Sequence, residues 1–321
     1  MRMTSRSFIR LLVLSLSFIL LAKAAMSEEN VHQTIERDGQ KLQLHINSQF
    51  DPDMQIELQD WVVFIAETLQ KVYGRWPRQE WEISISPAPA VGSDPIPWAQ
   101  VHRGEMDRVE FYTASQVSAD ELKNAWTGYH ELAHLLIPYR GWGDLWFSEG
   151  LSSYYQNILM ARSGILTEQQ MWQNLYEGFL RGRADSRFDG QPLNEVSSAL
   201  RKKGGFMRVY WSGAWYFLAA DVRLRRQSGG KLTLDIALQK LNQCCANQRL
   251  SVLEIVNKLD ELNQVLLFQS LYQQVRISTE VPAFETIFAS VGITIKDGTV
   301  TLQQEGPGAR LRQQIISRTT L

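Results

Sequence analysis

Residues 130–134 read HELAH, and this motif constrains the fold of the chain more than any other feature. On a helix, His130 and His134 stand one turn apart, so both imidazoles leave the same face. That spacing predicts two nitrogen ligands for one Zn²⁺, with Glu131 beside them to take a proton from the metal's water. The alternative is a helix with two partly buried histidines that hydrogen-bond to their neighbours. The zinc interpretation requires a second element that faces this helix and completes the site.

The first 25 residues have the pattern of a secretory signal peptide. A basic segment with Arg2, Arg6 and Arg10 precedes an apolar stretch over residues 11–21, and residues 22–24 read Ala-Lys-Ala, a small-x-small cleavage pattern. The apolar stretch is too short for a stable membrane span. We therefore expect an exported chain that starts near Ala25 and is periplasmic or secreted, with an uncleaved anchor as the alternative.

Charge and cysteine content exclude several classes of protein. The formal net charge is −1, which argues against nucleic acid or an anionic membrane as the main partner. The only cysteines are the neighbours Cys244 and Cys245, too few for a cysteine metal cluster. Adjacent cysteines rarely bridge each other, so we expect free, buried thiols. Oligomeric state does not follow from the sequence.

Hydrophobic periodicity predicts an α+β fold in which a small mixed β lobe is followed by a mostly helical lobe. The predicted division is a strand-rich lobe over 26–117, a helical lobe over 118–292, and a hairpin with a tail over 293–321. Alternating apolar residues predict strands over 41–49, 80–86, 98–103 and 108–113. Capping residues and apolar stripes predict helices over 52–73, 118–137, 145–162, 167–183, 205–226, 233–245, 251–265 and 284–290. The HELAH motif lies where the two lobes meet.

A third protein ligand for the zinc is expected after the motif. Glu149 lies in the first turns of the next predicted helix, and a short loop can place that helix antiparallel to the first. A carboxylate near a helix N-terminus is also favourable on its own. Position alone therefore leaves both interpretations of Glu149 open.

HELAH, followed by SEGLSSYY over residues 148–155, resembles the gluzincin zinc peptidases. The chain is most similar to their glycyl aminopeptidase family and more distantly to the aminopeptidase N family. This resemblance implies a thermolysin-like zincin catalytic domain with Glu149 as the third zinc ligand. It also implies that Tyr210, in a Tyr-x-x-Gly pattern, hydrogen-bonds the oxyanion. Because aromatic residues follow Tyr210 in the sequence, the alternative is that Tyr210 packs in the hydrophobic core.

Three departures from the family pattern are visible. The loop over 137–144 is shorter than in either family, and Ser153 replaces the acid that supports the ligands in thermolysin-like relatives. Residues 104–108, GEMDR, loosely resemble a segment that binds the amino terminus of the substrate. Glu105 or Asp107 would then mark an aminopeptidase, with a plain hairpin turn as the alternative. We expect the strand over 108–113 to form the cleft's edge and pair with substrate.

Together these features predict an exported zinc-dependent metallopeptidase that hydrolyses peptide bonds through a zinc-bound water. Glu131 is the expected general base and Tyr210 the expected oxyanion donor, and the substrate is a peptide or protein. Aminopeptidase-like action is the expected form. The alternative is a catalytically inactive peptidase-like scaffold that acts as a peptide- or protein-binding module.

Overall fold

A five-stranded mixed sheet comes first in the chain, and helices make up most of the rest of it. The computed structural model describes residues 30–89, 92 and 94–317. The predicted signal peptide lies outside these residues. The predicted α+β class is confirmed, because the sheet is segregated from a long helical region. The boundaries of the predicted lobes stay a prediction.

The sheet has the strand order β1-β2-β3-β5-β4. Strands β2, β3 and β5 are parallel neighbours, and antiparallel partners flank them on both sides. The strands are β1 (Val31–Arg37), β2 (Gln40–Ile46), β3 (Glu80–Pro87), β4 (Trp98–His102) and β5 (Asp107–Thr113). Strand β1 was not predicted, since its pattern is polar and its stability comes from pairing with β2 across a turn with positive φ at Asp38 and Gly39.

Strand β4, and not β5, forms the edge of the sheet on the side of β5. The prediction that residues 108–113 form the cleft's edge is therefore wrong. The chain reverses after β4, and β5 returns between β4 and β3. The first strand of this hairpin, β4, therefore lies at the edge of the sheet. Sequence patterns of two adjacent strands are alike and do not reveal which of them joins the rest of the sheet.

One long helix, α1 (Pro52–Tyr73), packs against the sheet. Asp51 accepts a hydrogen bond from the Met54 amide at its start, and Gly74, with φ of 82°, ends it in the left-handed conformation. The rings of Trp61 and Phe111 meet at 5.1 Å between centroids. The apolar face of this layer is fully buried and includes Leu42, Leu44, Ile46, Ile83, Ile85, Val109 and Phe111.

The predicted helix over 118–137 is divided into three pieces. A capping box between Ser118 and Glu121 starts α2 (Ala119–Asn124), as expected. Ala125 then has extended backbone angles, so α3 (Trp126–Ala133) begins as a new helix. A 3₁₀ turn, His134–Leu136, comes directly after it. The break lies among weak helix formers, since Asn124, Thr127 and Gly128 flank Ala125.

The remaining helices surround α4 (Leu145–Arg162) and α7 (Phe206–Ser228). They are α5 (Glu168–Ala184), α6 (Leu193–Lys203), α8 (Leu234–Cys245), α9 (Val252–Asn263), α10 (Phe268–Arg276), α11 (Glu285–Ser290) and α12 (Pro307–Ile316). A short 3₁₀ turn, Ser186–Phe188, lies between α5 and α6. Helices α6, α10 and α12 were not predicted. No helix among the described residues has the length and apolarity needed to cross a membrane.

The predicted hairpin near the end of the chain is confirmed as β6 (Ile293–Lys296) and β7 (Thr299–Leu302), joined at Asp297 and Gly298. The prediction of free thiols is wrong, because a disulfide joins Cys244 and Cys245 at the end of α8. Their adjacent Cα atoms, 3.7 Å apart, hold both sulfur atoms close together. Cys245 is buried, as expected, whereas Cys244 is exposed, so the prediction of two buried cysteines is wrong for Cys244.

Candidate metal centre

Three predicted ligands converge between α3 and α4. One ligand atom from each of His130, His134 and Glu149 lies within 4.8 Å of the others. Glu149 Oε2 is 3.3 Å from His130 Nε2 and 3.7 Å from His134 Nε2. His134 begins the 3₁₀ turn but keeps right-handed helical angles, so the two imidazoles still share one face. Two imidazole nitrogens and one carboxylate form a donor set that suits Zn²⁺.

Two further side chains, which the sequence analysis missed, orient these imidazoles. His130 Nδ1 lies 2.8 Å from Gln156 Oε1, and His134 Nδ1 lies 2.9 Å from Ser148 Oγ. Because an amide oxygen only accepts, His130 donates from Nδ1 and keeps the Nε2 lone pair free for a metal. Gln156 lies two helical turns after Glu149, so its position on the same face was a signal in the sequence. Ser153, one turn after Glu149, does not contact either imidazole ring by a hydrogen bond.

Burial and the neighbouring charges set the protonation of the predicted ligands. Burial lowers the pKa of His134 to about 3, which keeps this imidazole neutral and able to bind a metal. Burial also opposes charge on His130, but the hydrogen bond to Glu149 and the charges of Glu131 and Glu149 raise its pKa. Burial likewise works against the Glu149 carboxylate, whose pKa is nevertheless lowered by both imidazoles and by the nearby Tyr210 hydroxyl.

Glu131 lines the same cavity but lies outside the group of three converging ligand atoms. Burial raises the pKa of its carboxyl group to about 7, and the nearby charge of Glu149 acts in the same direction. A carboxylate with a pKa near neutrality can both accept and return a proton at physiological pH. The role of general base for Glu131 stays a prediction.

Tyr210 faces the cavity instead of the core. Its ring stacks on His130 at 5.8 Å between centroids, and its hydroxyl lies near the Glu149 carboxylate. Burial, and then the charge of Glu149, raise the pKa of Tyr210, so the phenol stays protonated and remains a donor. The aromatic residues that come after it along α7 are buried, namely Trp211, Trp215, Tyr216 and Phe217. Tyr210 therefore lines the cavity, whereas the aromatic residues that follow it in the sequence pack in the core.

The cavity at the three predicted ligands has a volume of about 390 Å³. Strand β4 forms one side through residues 98–101, and Tyr139 and Gly141 contribute from the short loop before α4. Arg103 and Arg201 also line it. The only carboxylates among the described residues of the lining are Glu131 and Glu149. The shortened loop is therefore a wall of the cavity.

Two glycines bring Glu149 and Tyr210 together. Helices α4 and α7 cross at Gly150 and Gly213, where a Cβ atom on Gly150 would lie 2.2 Å from the Gly213 Cα. A Cβ on Gly213 would lie 2.0 Å from the carbonyl oxygen of Trp146. Only hydrogen side chains allow this approach. The glycine of the Glu-Gly pattern and the glycine of the Tyr-x-x-Gly pattern therefore contact each other where α4 and α7 cross.

Asp107 has a structural role and does not face the cavity. Its buried carboxylate pairs with Arg78 at 2.7 Å, Arg103 at 3.3 Å and Arg249 at 2.8 Å. Arg103 in turn donates to the carbonyl oxygen of His134 at 2.5 Å. The hypothesis that Asp107 binds the substrate's amino terminus is therefore wrong, because the carboxylate is enclosed by arginines. Glu105 is exposed in the turn between β4 and β5, as the hairpin alternative expected.

Comparison with known proteins bears on this site. The sequence profile of the M61 glycyl aminopeptidase family matches residues 141–216, a span that includes Glu149 and Tyr210. An aminopeptidase N family protein from Idiomarina loihiensis has a similar structure, with a TM-score of 0.62 and 17% identity. The match covers 84% of this chain and 50% of that protein. The resemblance to gluzincin peptidases is confirmed.

Two further structures of similar fold come from gluzincins of Deinococcus radiodurans. The M1 zinc metallopeptidase has a TM-score of 0.53 and 15% identity, with coverage of 79% of this chain and 52% of that one. A mutant of an M1 zinc metallopeptidase bound to a Tyr-Ser-Ala substrate has a TM-score of 0.51, also at 15% identity, with coverage of 79% and 54%. No curated protein sequence matches significantly. The chain thus spans about half the length of the structures it matches, and the likeness to them is one of fold.

Proposed function

We propose that this chain is an exported zinc-dependent metallopeptidase. One observation carries the proposal: His130, His134 and Glu149 converge at a cavity that Glu131 and Tyr210 also line. The donor set fits zinc, since three protein ligands leave a coordination position open and Gln156 and Ser148 orient both imidazoles. Bound there, zinc would lower the pKa of a water molecule and polarise a peptide carbonyl.

Two side chains of the cavity would carry out the steps that do not fall to the metal, namely proton transfer and stabilisation of the oxyanion. Glu131 would accept a proton from the attacking water on its carboxylate and return it to the nitrogen of the leaving amine. Tyr210, protonated and next to Glu149, would donate a hydrogen bond from its hydroxyl to the developing oxyanion. Both steps use side chains whose pKa values are shifted by burial and by the charge of Glu149.

The peptide substrate would bind along β4. Within the described part of the chain this strand pairs only with β5, so the other edge of its backbone is available to an added strand. Residues 98–101 of β4 line the cavity, which places that edge beside the predicted ligands. A substrate strand in this position would present a carbonyl to the site.

The test of the proposal is the zinc content of the purified protein and of the Glu149→Ala variant, together with hydrolysis of a peptide library. We expect one zinc per chain, weakly held or lost in the variant, because two imidazoles alone bind zinc poorly. Replacement of the exposed Glu57 by alanine is the control. Absence of zinc in the reconstituted parent protein would overturn the proposal. Zinc binding without hydrolysis of any peptide would favour the peptide-binding scaffold instead.

Aminopeptidase-like action is the finer form of the proposal, since the matched family is the glycyl aminopeptidases. Pairs of peptides that differ only in acetylation of the amino terminus test it. We expect the free amino terminus to be preferred. Equal cleavage of both peptides would instead indicate an endopeptidase, which agrees with a lining whose described residues include no third carboxylate.

We expect the Tyr210→Phe variant to lose about 10²- to 10³-fold in kcat with little change in KM. The lost hydroxyl acts on the oxyanion, which exists only in the transition state. Steady-state kinetics on one peptide measures the effect. The Tyr112→Phe variant, on the sheet, is the control. A rise in KM at unchanged kcat would contradict the assigned role.

Export is proposed from the pattern of the first 25 residues. We expect amino-terminal sequencing of the mature protein, expressed from the full chain, to begin near Ala25. Recovery of the intact amino terminus from the cytoplasm would contradict this proposal.

A further inference from the structure

A second cavity, of about 450 Å³, adjoins the candidate metal centre on the side of His130. Tyr210 lines both cavities, and Gln156, which holds His130 Nδ1, lines the second. Trp126, also in its lining, meets the His130 ring edge-to-face at 5.4 Å between centroids. The two cavities are therefore neighbours that share Tyr210 as a common wall.

Three helix faces converge on the second cavity. Each contributes residues spaced by three, four or seven positions, which place side chains on one face of a helix. They are Ser153, Gln156 and Asn157 from α4, Asn174 and Arg181 from α5, and Met207, Tyr210 and Trp211 from α7. The cavity is thus formed by packed helices.

The aromatic wall of the cavity is held in place by α5. A Cβ on Gly178 would lie 2.1 Å from the Trp211 ring, so the indole packs directly on the helix backbone. Gly182, one turn later, is also close, since a Cβ there would lie 2.8 Å from the Cβ of Trp211. The Arg181 guanidinium lies 5.2 Å from the centre of the same ring. The cavity therefore has a rigid apolar wall with a cation beside it.

Several polar groups of the lining have no partner within the described part of the chain. Ser153 and Asn157 are each only 2% exposed, yet the Ser153 hydroxyl and Asn157 Oδ1 make no hydrogen bond there. Among the same residues, Arg181 makes no ion pair and Asn174 makes no side-chain hydrogen bond. Arg181 is exposed and Asn174 is half-buried, and neither the Ser153 hydroxyl nor Asn157 Oδ1 is fully enclosed by protein. These groups are therefore accessible to hydrogen-bond a polar ligand in the cavity.

The charge of the lining identifies the class of that ligand. Among the residues that the structure describes, Arg181 is the only charged one that lines the cavity, and no carboxylate does so. The Arg181 guanidinium, the Ser153 hydroxyl and the Asn174 amide nitrogen can all donate to one carboxylate, whereas the Asn157 amide nitrogen already donates to the Ser153 carbonyl. The walls of Trp126, Met207 and Trp211 suit the methylene groups that carry such an anion.

We propose that this second cavity binds a carboxylate of the substrate, with Arg181 as the specificity-determining residue. The inference rests on the proposed function, since it places the carboxylate in the residue next to the bond that is cleaved. The carboxylate comes from an acidic side chain or from the carboxyl terminus of the peptide. Its recognition by Arg181 distinguishes this chain's substrate from neutral peptides.

Binding to the zinc-loaded Glu131→Gln variant of the full mature chain tests the proposal without turnover. The probes are amidated alanine pentapeptides with a free amino terminus and a single Glu or Gln at each position, together with all-alanine pentapeptides whose carboxyl terminus is free or amidated. We expect one Glu position, or the free carboxyl terminus, to bind about 10-fold or more tightly than its neutral counterpart, measured by isothermal titration calorimetry. Which probe is preferred identifies the source of the carboxylate.

The Arg181→Gln change in the same background should abolish this preference and leave binding of neutral peptides unchanged. The Arg226→Gln change removes another exposed arginine, on α7 and outside the lining, and should leave the preference intact. Equal binding of Glu and Gln probes would overturn the proposal, as would a preference that survives Arg181→Gln. If the parent protein hydrolyses neutral peptides while the probes show no preference, the cavity assignment fails and the proposed function stands. If the probes show a preference for a carboxylate but the parent protein hydrolyses no peptide, the cavity assignment stands and the proposed function fails.

Discussion

The Glu131→Gln variant is expected to keep its zinc and to lose at least about 10²- to 10⁴-fold in kcat. Glu131 lies outside the three converging ligand atoms, so metal content should not change. The amide has nearly the same shape as the carboxyl group but cannot accept the proton of the attacking water. Burial already raises the pKa of this group to about 7, so the neutral amide should not destabilise the fold.

Three measurements on the same preparation check this expectation. Zinc content should equal that of the parent protein, the melting temperature should not fall, and kcat should drop. Glu57→Gln, an exposed change on α1, is the matched control and should have parental activity. Peptide hydrolysis by Glu131→Gln at the parental rate would refute the mechanism. Loss of zinc in this variant would show instead that Glu131 is a ligand.

The Gly213→Ala variant is expected to weaken zinc binding and to lower stability at the same time. A Cβ at this position would lie 2.0 Å from the carbonyl oxygen of Trp146, so α4 and α7 must separate. Overpacking of this kind costs about 1–3 kcal/mol of unfolding free energy. Because Glu149 is on α4 and Tyr210 on α7, their separation also displaces a ligand and the residue next to it. Displaced ligands cost about 10- to 100-fold in metal affinity.

Competition with a chelator and thermal unfolding, each with and without zinc, measure the two effects. Gly150→Ala, on the other side of the same contact, should behave alike, since its Cβ would lie 2.2 Å from Gly213. Gly104→Ala is the control, because a Cβ there would be 3.5 Å from its nearest neighbour, an ordinary contact. Parental zinc affinity in Gly213→Ala would show that the helix crossing does not position Glu149.

Removal of zinc by a chelator and the two substitutions each test a different part of this site. Removing zinc tests the donor set of His130, His134 and Glu149, whereas Glu131→Gln tests proton transfer with the metal in place. Gly213→Ala tests whether the fold brings these groups together. Agreement among the three would tie the helix crossing, the metal and the chemistry to one site.

Local features of the fold were predictable because short-range rules govern them. The capping boxes at Ser118, Thr167 and Ser251 are present as expected, since cap and partner are three residues apart. The convergence of His130 and His134 results from one turn of helix in the same way. The hairpin around Asp297 and Gly298 depends on the two residues of its turn.

Features that depend on distant parts of the chain were predicted less well. The edge position of β4 depends on pairing between strands, which the sequence pattern of a single strand does not report. Helices α6 and α10 are short, but their buried residues follow helical spacing, so the sequence held a signal for both that the prediction missed. The break at Ala125 lies among weak helix formers, and the sequence pattern does not show where the backbone turns. Tertiary contacts decide the strand order and the break because local preference is weak at both.

The sequence by itself predicted the donor set, because HELAH has the residue types and spacing of a zinc site and the resemblance to the gluzincins implies Glu149 as the third ligand. Only the tertiary structure decided what surrounds that donor set. In the structure, Gln156 hydrogen-bonds His130, Asp107 is enclosed by arginines, and Tyr210 lies next to Glu149. The physical reason is range: helical spacing is a property of a few neighbouring residues, whereas partners from other elements meet only when the whole core packs.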